Sequence, residues 1–193
     1  MKAGVRALGV AESYAGVDTA GDESVLCGAV VRADRVVEDF AFGTCAVGGE
    51  DATAAIDGIV STLGREDVRY LLVAGIAPAW FNVVDLRALA RTTGRPALSV
   101  SFESSPGLEP ALREQFSGGA LRSRLDVYRA QPPRREVDLG GETLYVRAVG
   151  LDDDEAADAV RAFTPEGGRP EPLRVARAAA RAARRWRDSG PDG

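Results

Sequence analysis

Apolar positions along this chain recur with two different periods. From Ala52 onward they fall at Ala52, Ala55, Ile56, Ile59, Val60 and Leu63. That spacing is one face of an α-helix. Residues 43–63 therefore read as the end of a strand, a turn at Gly48-Gly49, and a helix entered at Glu50-Asp51. Ahead of them, residues 5–11 form a strand apolar enough to be buried on both faces, and Glu12-Ser13-Tyr14 ends it. Residues 15–23 are a Gly/Asp/Thr loop. Residues 24–32 and 35–45 pair as an antiparallel hairpin, the second strand alternating Val36, Glu38, Phe40 and Phe42 with Val37, Asp39 and Ala41. A two-residue turn at Ala33-Asp34 sets Arg32 opposite Arg35, Cys27 opposite Phe40 and Cys45 opposite Asp22.

Downstream, residues 68–76 form a strongly apolar central strand, broken by Pro78. Val84, Leu86, Leu89 and Ala90 predict a helix over 81–92, and residues 96–101 another strand with Glu103 just past its end. Residues 107–116 and 120–129 read as short helices. Residues 136–139 and 142–149 flank Gly140-Gly141, a hairpin signal. Helices follow at 152–163 and 170–187, and residues 188–193 are expected to fray. A meander of strands followed by αβ units predicts one α/β domain over 1–187, a mixed sheet with helices on both faces, with the C-terminal hairpin and helices starting near residue 131.

Composition narrows the chemistry. The chain has 193 residues, 45% of them apolar, and a net charge of −5. That charge argues against nonspecific polyanion binding by the whole surface. Lys2 is the only lysine; the remaining basic residues are arginine, a balance typical of GC-rich, salt-adapted sources. With no histidine, Ser-His-Asp and Cys-His catalysis and His-ligated zinc are excluded. Acid–base work falls to carboxylates, Tyr, Arg or a metal-bound water. Cys27 and Cys45 face opposite sides of the hairpin, so a disulfide is not expected and the compartment reads as reducing and cytoplasmic. No apolar run reaches membrane length.

Five places carry candidate chemistry, each with a plainer alternative. At Gly48-Gly49-Glu50-Asp51-Ala52-Thr53 the glycines let a ligand approach the backbone and Asp51 offers oxygens to Mg²⁺; alternatively Asp51 or Glu50 caps the helix. Glu12, with Ser13 and Tyr14 beside it, is a carboxylate at the end of a central strand, suited to a metal or to proton transfer, or an ordinary polar residue where a strand surfaces. Trp80 offers a face for stacking a base and Asn82 an amide for a base edge; alternatively Trp80 and Phe81 pack in the core and Asn82 caps the next helix. Glu103 follows a strand that ends near Glu12, or simply turns the chain. The last helix presents Arg174, Arg177, Arg181 and Arg184 near one face, a phosphate track or a solvated surface.

Taken together, GVAESY (9–14), GGEDAT (48–53), AWFNVVDL (79–86), TGRPALSVSFES (93–104) and PEPLRVA (170–176) resemble the archaeal endonuclease dU family, a domain-of-unknown-function family similar to endonuclease V. The resemblance implies a ribonuclease H-like fold, Mg²⁺ as cofactor, nucleic acid as partner, and cleavage beside a deaminated base in DNA repair. Endonuclease V ends its first strand in Asp-x-Ser-aromatic; here Ser13 and Tyr14 match, Ala11 holds the Asp position, and the acid is Glu12. Its fourth strand ends in Asp-Gly; here Gly75 matches and Ala74 holds the Asp position. In the nuclease reading Glu12 and Asp51 bind metal, Asp85 or Glu103 completes the shell, and Ser13, Tyr14, Gly48, Gly49, Thr53, Trp80 and Asn82 contact the ligand. A catalytically inactive module binding nucleic acid, a nucleotide or a protein in the same groove is the alternative. A small-molecule enzyme built on the Gly48-Gly49 turn and Asn82 is a third.

Overall fold

The computed structural model describes residues 1–14, 16 and 23–189. Seven strands form one sheet: β1 (Arg6–Ser13), β2 (Glu23–Arg32), β3 (Val37–Ala46), β4 (Val68–Ala74), β5 (Ala97–Ser101), β6 (Arg135–Asp138) and β7 (Thr143–Val149). They lie in the order β3-β2-β1-β4-β5-β7-β6. β1 runs parallel to β4, and β4 to β5, while β2 is antiparallel to both its neighbours. This is the expected ribonuclease H-like mixed sheet, in a single domain. Because β1, β3, β4 and β5 all run the same way, their C-terminal ends share one edge. Ligands of such sheets gather there, since the chain leaves the sheet in loops whose backbone groups are free.

Helices cover both faces. α1 (Ala52–Leu63) and α3 (Leu86–Thr93) pack on the face carrying Leu8, Val10, Leu26 and Leu71. α6 (Asp153–Ala162) packs with Leu72, Leu98 and Val146 on the other. The last helix, α7 (Glu171–Ser189), shares that second face, where Ala176 joins Ala11, Ala29 and Val31. Small residues let α7 lie close: a Cβ on Gly9 would meet the Pro172 backbone carbon at 2.3 Å. Two short helices, α4 (Glu109–Gln115) and α5 (Gly118–Arg129), form a satellite core around Val83, Leu112 and Leu125.

Three expectations need correction. The hairpin joining β2 and β3 does not turn at two residues. Arg32 N–H donates to Val36 O, Arg35 takes a positive φ of 72°, and the register shifts between Val30 and Val31. Cys27 therefore opposes Phe42, and Cys45 opposes Ser24. The shift is a bulge at Glu38, whose carboxylate is drawn to Arg6 (2.7 Å) and Arg65 (2.5 Å). The thiols still face opposite sides of the sheet and are free. Second, the helix expected over 81–92 starts only at Leu86. Before it comes α2 (Pro78–Phe81), in which Ala79, Trp80 and Phe81 take positive φ values of 48°, 54° and 64°. That is a left-handed turn, costly for residues with a Cβ. Third, Asp188 and Ser189 belong to α7 rather than to a frayed tail: Arg184 bridges Asp188 at 3.0 Å, and Ser189 Oγ donates to Arg185 O. Of the loop expected over 15–23, Glu23 begins β2, and residues 15 and 17–22, like 190–193, lie outside the described residues.

Candidate functional site

Glu12 occupies the C-terminal end of β1, on the α1 side of the sheet by alternation with Leu8 and Val10. Ser24 Oγ donates to its Oε2 at 2.9 Å. Burial raises its pKa above the ordinary value, opposed by the Ser24 hydroxyl and by the charge of Arg177. The next residue points the other way: Ser13 Oγ accepts from Arg184 Nε at 3.1 Å. Glu12, Ser13 and Tyr14 line a cleft of 220 Å³ with Arg177, Arg181, Arg184 and Arg185 of α7. Among the described residues Arg177 and Arg181 have no carboxylate within salt-bridge distance. Arg169, stacked over Phe102 at 4.2 Å, sits below its ordinary pKa because of burial and then the charges of Arg177 and Arg181. A row of mutually repelling guanidinium groups is a site for an anion.

A second cluster is built on the β3–α1 turn. Asp51 stands at the N-cap position of α1 but makes no cap bond with its side chain. Its carboxylate accepts from Ala46 N–H at 3.1 and 3.2 Å and from Asn82 Nδ2 at 2.7 Å. The cap comes from across the fold: Asn82 Oδ1 accepts from Ala52 N–H at 2.9 Å, while Nδ2 also donates to Ala46 O at 3.0 Å. Asn82 is fully buried and caps α1, not the helix that follows it. Gly48 takes a φ of 68°, and a Cβ there would meet the Trp80 ring at 2.6 Å, so only glycine fits. Gly48 N–H donates to Ala79 O at 2.7 Å.

Arg124 of α5 locks this turn, and no reading of the sequence singled it out. Its side chain is 5% exposed. It donates to Gly48 O, Gly49 O (3.0 Å), Phe81 O (3.2 Å) and Ala120 O (2.9 Å), and bridges Glu50 at 2.6 Å. Its guanidinium lies 4.1 Å from the Phe116 ring centroid, and Phe116 packs on Trp80 and Phe81. Trp80, half-buried, spends one face on Gly48. Ser24, the partner of Glu12, was likewise not singled out. Both contacts join residues far apart in sequence and leave no local signal.

The other expected residues fall elsewhere. Asp85 Oδ1 caps α3, accepting from Arg87 N–H (2.9 Å) and Ala88 N–H (3.0 Å). Asp85 N–H donates to Thr53 Oγ1 at 3.0 Å, tying the start of α3 to the first turn of α1. Glu103 is exposed and borders a separate cleft with Tyr128 and Arg134. Ala11 and Ala74 pack in the small cluster beneath α7. Neither offers a metal an oxygen from its side chain. Burial pushes the Cys27 thiol up to about 12; burial followed by the nearby charges of Asp51, Glu12 and Glu23 does the same to Cys45. Neither is a thiolate nucleophile at neutral pH.

The donor set does not suit a divalent cation. Among the described residues no group of three Cys, Asp or Glu could hold a metal ion. The carboxylates of Glu12 and Asp51 already accept hydrogen bonds from protein donors. Mg²⁺ demands a near-octahedral oxygen shell, and the described side chains do not assemble one.

Comparison with known proteins settles the ancestry. The family model described as Endonuclease dU matches residues 3–184. The chain belongs to the Endonuclease dU family. A UPF0215 protein of Pyrobaculum aerophilum is 35% identical over 180 residues, 93% of this chain and 94% of that protein. One from Thermococcus kodakarensis is 34% identical over 157 residues, 80% of this chain and 78% of that one. Among solved structures, a protein of unknown function from Archaeoglobus fulgidus superposes with a TM-score of 0.79 at 25% identity, covering 93% of this chain and 98% of that one. Endonuclease V from Bacillus subtilis gives 0.64 at 12% identity, covering 95% and 82%. Endonuclease V of Ciona intestinalis, solved with DNA containing an inosine, gives 0.64 at 12%, covering 94% and 87%. The likeness to endonuclease V is one of fold. No helix among the described residues is long and apolar enough to cross a membrane.

Proposed function

We propose that this Endonuclease dU family member is an endonuclease V-like protein that engages nucleic acid at the shared C-terminal edge of β1, β3, β4 and β5. The observation that carries the reading is the cleft where Arg177, Arg181, Arg184 and Arg185 face Glu12, Ser13 and Tyr14. Arg177 and Arg181, with no carboxylate within salt-bridge distance among the described residues, suit backbone phosphates, which they contact without reading sequence. A net charge of −5 confines such binding to this patch. Ser13 orients Arg184, and the exposed part of Trp80 offers a stacking face near the Gly48-Gly49 turn.

Within this reading the finer step is cleavage beside a deaminated base, as the family's name suggests. Glu12 and Asp51 are the carboxylates we assign to it. Asp85 and Glu103 are less suited, the first because it caps α3 and the second because it borders another cleft. Among the described residues the donor set does not complete a metal shell. That same observation, with Ala11 buried and Ala74 partly buried under α7, favours a second reading: a ribonuclease H-like module that binds nucleic acid without cutting it.

One experiment separates the two. Wild type, Glu12→Gln and Asp51→Asn are incubated with deoxyuridine- or inosine-containing DNA and RNA in Mg²⁺ or Mn²⁺, and binding is measured in chelator. Cleavage by wild type and not by the variants supports the nuclease. Binding without cleavage by any of them supports the module. Absence of both binding and cleavage overturns the proposal.

A further inference from the structure

A second cleft, of 360 Å³, opens at the ends of β4 and β5 on the α3 side of the sheet. Its floor breaks the pattern of the rest of that face. Elsewhere the positions under helices are apolar, such as Leu71 and Val73. Here four neighbouring positions are polar: Ser99 pairs with Arg147, and Ser101 with Tyr145. α5 supplies one wall through Tyr128, and Arg134 the other.

The polar atoms of this cleft are held in place yet unspent. Arg147 donates to Pro132 O and to the Tyr128 hydroxyl (3.1 Å), and its guanidinium lies 5.1 Å from the Tyr128 ring centroid. Arg134 lies 4.3 Å from the Tyr145 ring centroid and donates to Ser105 Oγ (3.1 Å) and Ser105 O (2.9 Å). Neither arginine has a carboxylate within salt-bridge distance among the described residues, and burial pulls Arg147 below its ordinary pKa. Two cations are thus fixed on one cleft with no carboxylate within salt-bridge distance, Glu103 on the rim being its one acidic lining residue, an arrangement that favours an anionic ligand. Tyr128 Oη accepts from Leu108 N–H (3.0 Å) and from Arg147, which leaves its proton free to donate. Ser99 is 3% exposed, lines the cleft, and its hydroxyl has no hydrogen-bond partner among the described residues.

We infer that this cleft binds a phosphomonoester of nucleotide size, with Arg134 and Arg147 on the phosphate and the Ser99 and Tyr128 hydroxyls beside it. The volume decides against a lone phosphate, since small-molecule sites run from roughly 300 to 1,000 Å³ and this one is 360 Å³. Glu103 on the rim, an acceptor that would repel the phosphate, fits sugar hydroxyls or base N–H groups farther out. The same chemistry is offered by a free nucleoside monophosphate and by the terminal phosphate of an oligonucleotide.

The test is titration calorimetry of the full chain with uridine 5′-monophosphate, uridine and inorganic phosphate. Saturable binding of the monophosphate is expected, with phosphate competing and uridine binding at least about tenfold more weakly. Arg134→Gln should weaken it by about tenfold or more. Ser99→Leu, which fills the floor, should abolish it, with circular dichroism melting as the check that both variants fold. Displacement of the monophosphate by a 5′-phosphorylated oligonucleotide but not its 5′-hydroxyl counterpart assigns the terminal phosphate as ligand. Displacement by neither assigns the free mononucleotide. No saturable binding, or binding unchanged in both variants, overturns the site. The inference stands apart from the α7 cleft: Arg177→Gln/Arg181→Gln should leave monophosphate binding intact while oligonucleotide binding falls.

Discussion

The amide of Asn82 donates to the carboxylate of Asp51 at 2.7 Å, and the same side chain accepts from the first N–H of α1. One fully buried residue from the segment after β4 therefore organises the start of a helix 30 positions earlier. Losing it removes a cap, worth about 0.5–2 kcal/mol, and leaves buried partners unmatched at about 1–3 kcal/mol. Asn82→Ala should lower the unfolding free energy by about 2–4 kcal/mol in urea titration. Asn82→Asp should be worse, because it turns a donor toward the Asp51 carboxylate into an acceptor. A change within about 0.5 kcal/mol would mean that the cap is dispensable.

Arg124 holds the Gly48-Gly49 turn by bonds that need a planar fork. Arg124→Lys keeps the charge but reaches fewer of those oxygens. Both Arg124→Lys and Arg124→Ala should raise hydrogen exchange at Gly48 and Gly49, Ala more than Lys, and Ala should cost about 1–3 kcal/mol because the carbonyls of Gly48, Gly49 and Phe81 lose their donor. Exchange at wild-type rates in both variants would refute the role given to Arg124.

The left-handed turn at Ala79–Phe81 stores strain beside the candidate site. Ala79→Gly removes the Cβ penalty of a positive φ, about 1–2 kcal/mol, against the greater chain entropy of glycine, about 0.5–1 kcal/mol. The expected outcome is a neutral or slightly stabilised protein. Gly48→Ala should destabilise it by about 1–3 kcal/mol, because a Cβ at 2.6 Å from the Trp80 ring forces overpacking. Thermal melts of the two variants should therefore move apart.

Two carboxylates should give opposite pH dependences. Arg6 and Arg65 lower Glu38 from 4.5 to about 2. Its contribution is present above its unfolded value near 4.5 and is lost as pH falls toward about 2. Glu38→Gln should then be less stable than wild type at pH 7 and equal to it near pH 2. Burial raises Glu12 instead. Its folded state holds the proton more tightly, so ionisation weakens the fold as pH rises above the ordinary value of 4.5. Glu12→Gln should gain stability over wild type at pH 7, and the gain should vanish below that value.

The arginine row predicts a salt dependence. Replacing Arg177 and Arg181 by Gln should weaken oligonucleotide binding uniformly across sequences and reduce the slope of log K against log salt by about 2. A slope unchanged in the double variant would place the nucleic acid elsewhere.

Much of this protein was written in local pattern. The 3.6-residue period of Ala52–Leu63 fixed α1, the apolar run from Val68 fixed the central strand, and the block of matching segments fixed the family, because each depends on residues close in sequence. Glu12 and the α7 arginines could be proposed on the same ground. What a carboxylate or amide does once it is there depends on partners brought in by the fold. Asp51 looked like a cap and is instead a clamped acceptor, while Asn82 supplies the cap from another element. The β2–β3 register slipped because Glu38 follows two arginines from β1 and the α1–β4 turn, a pull that no hairpin rule contains. Arg124, Ser24 and the polar floor of Ser99 and Arg147 were silent for the same reason: hydrogen bonding and burial are properties of neighbours in space, and only the folded sheet decides which neighbours those are.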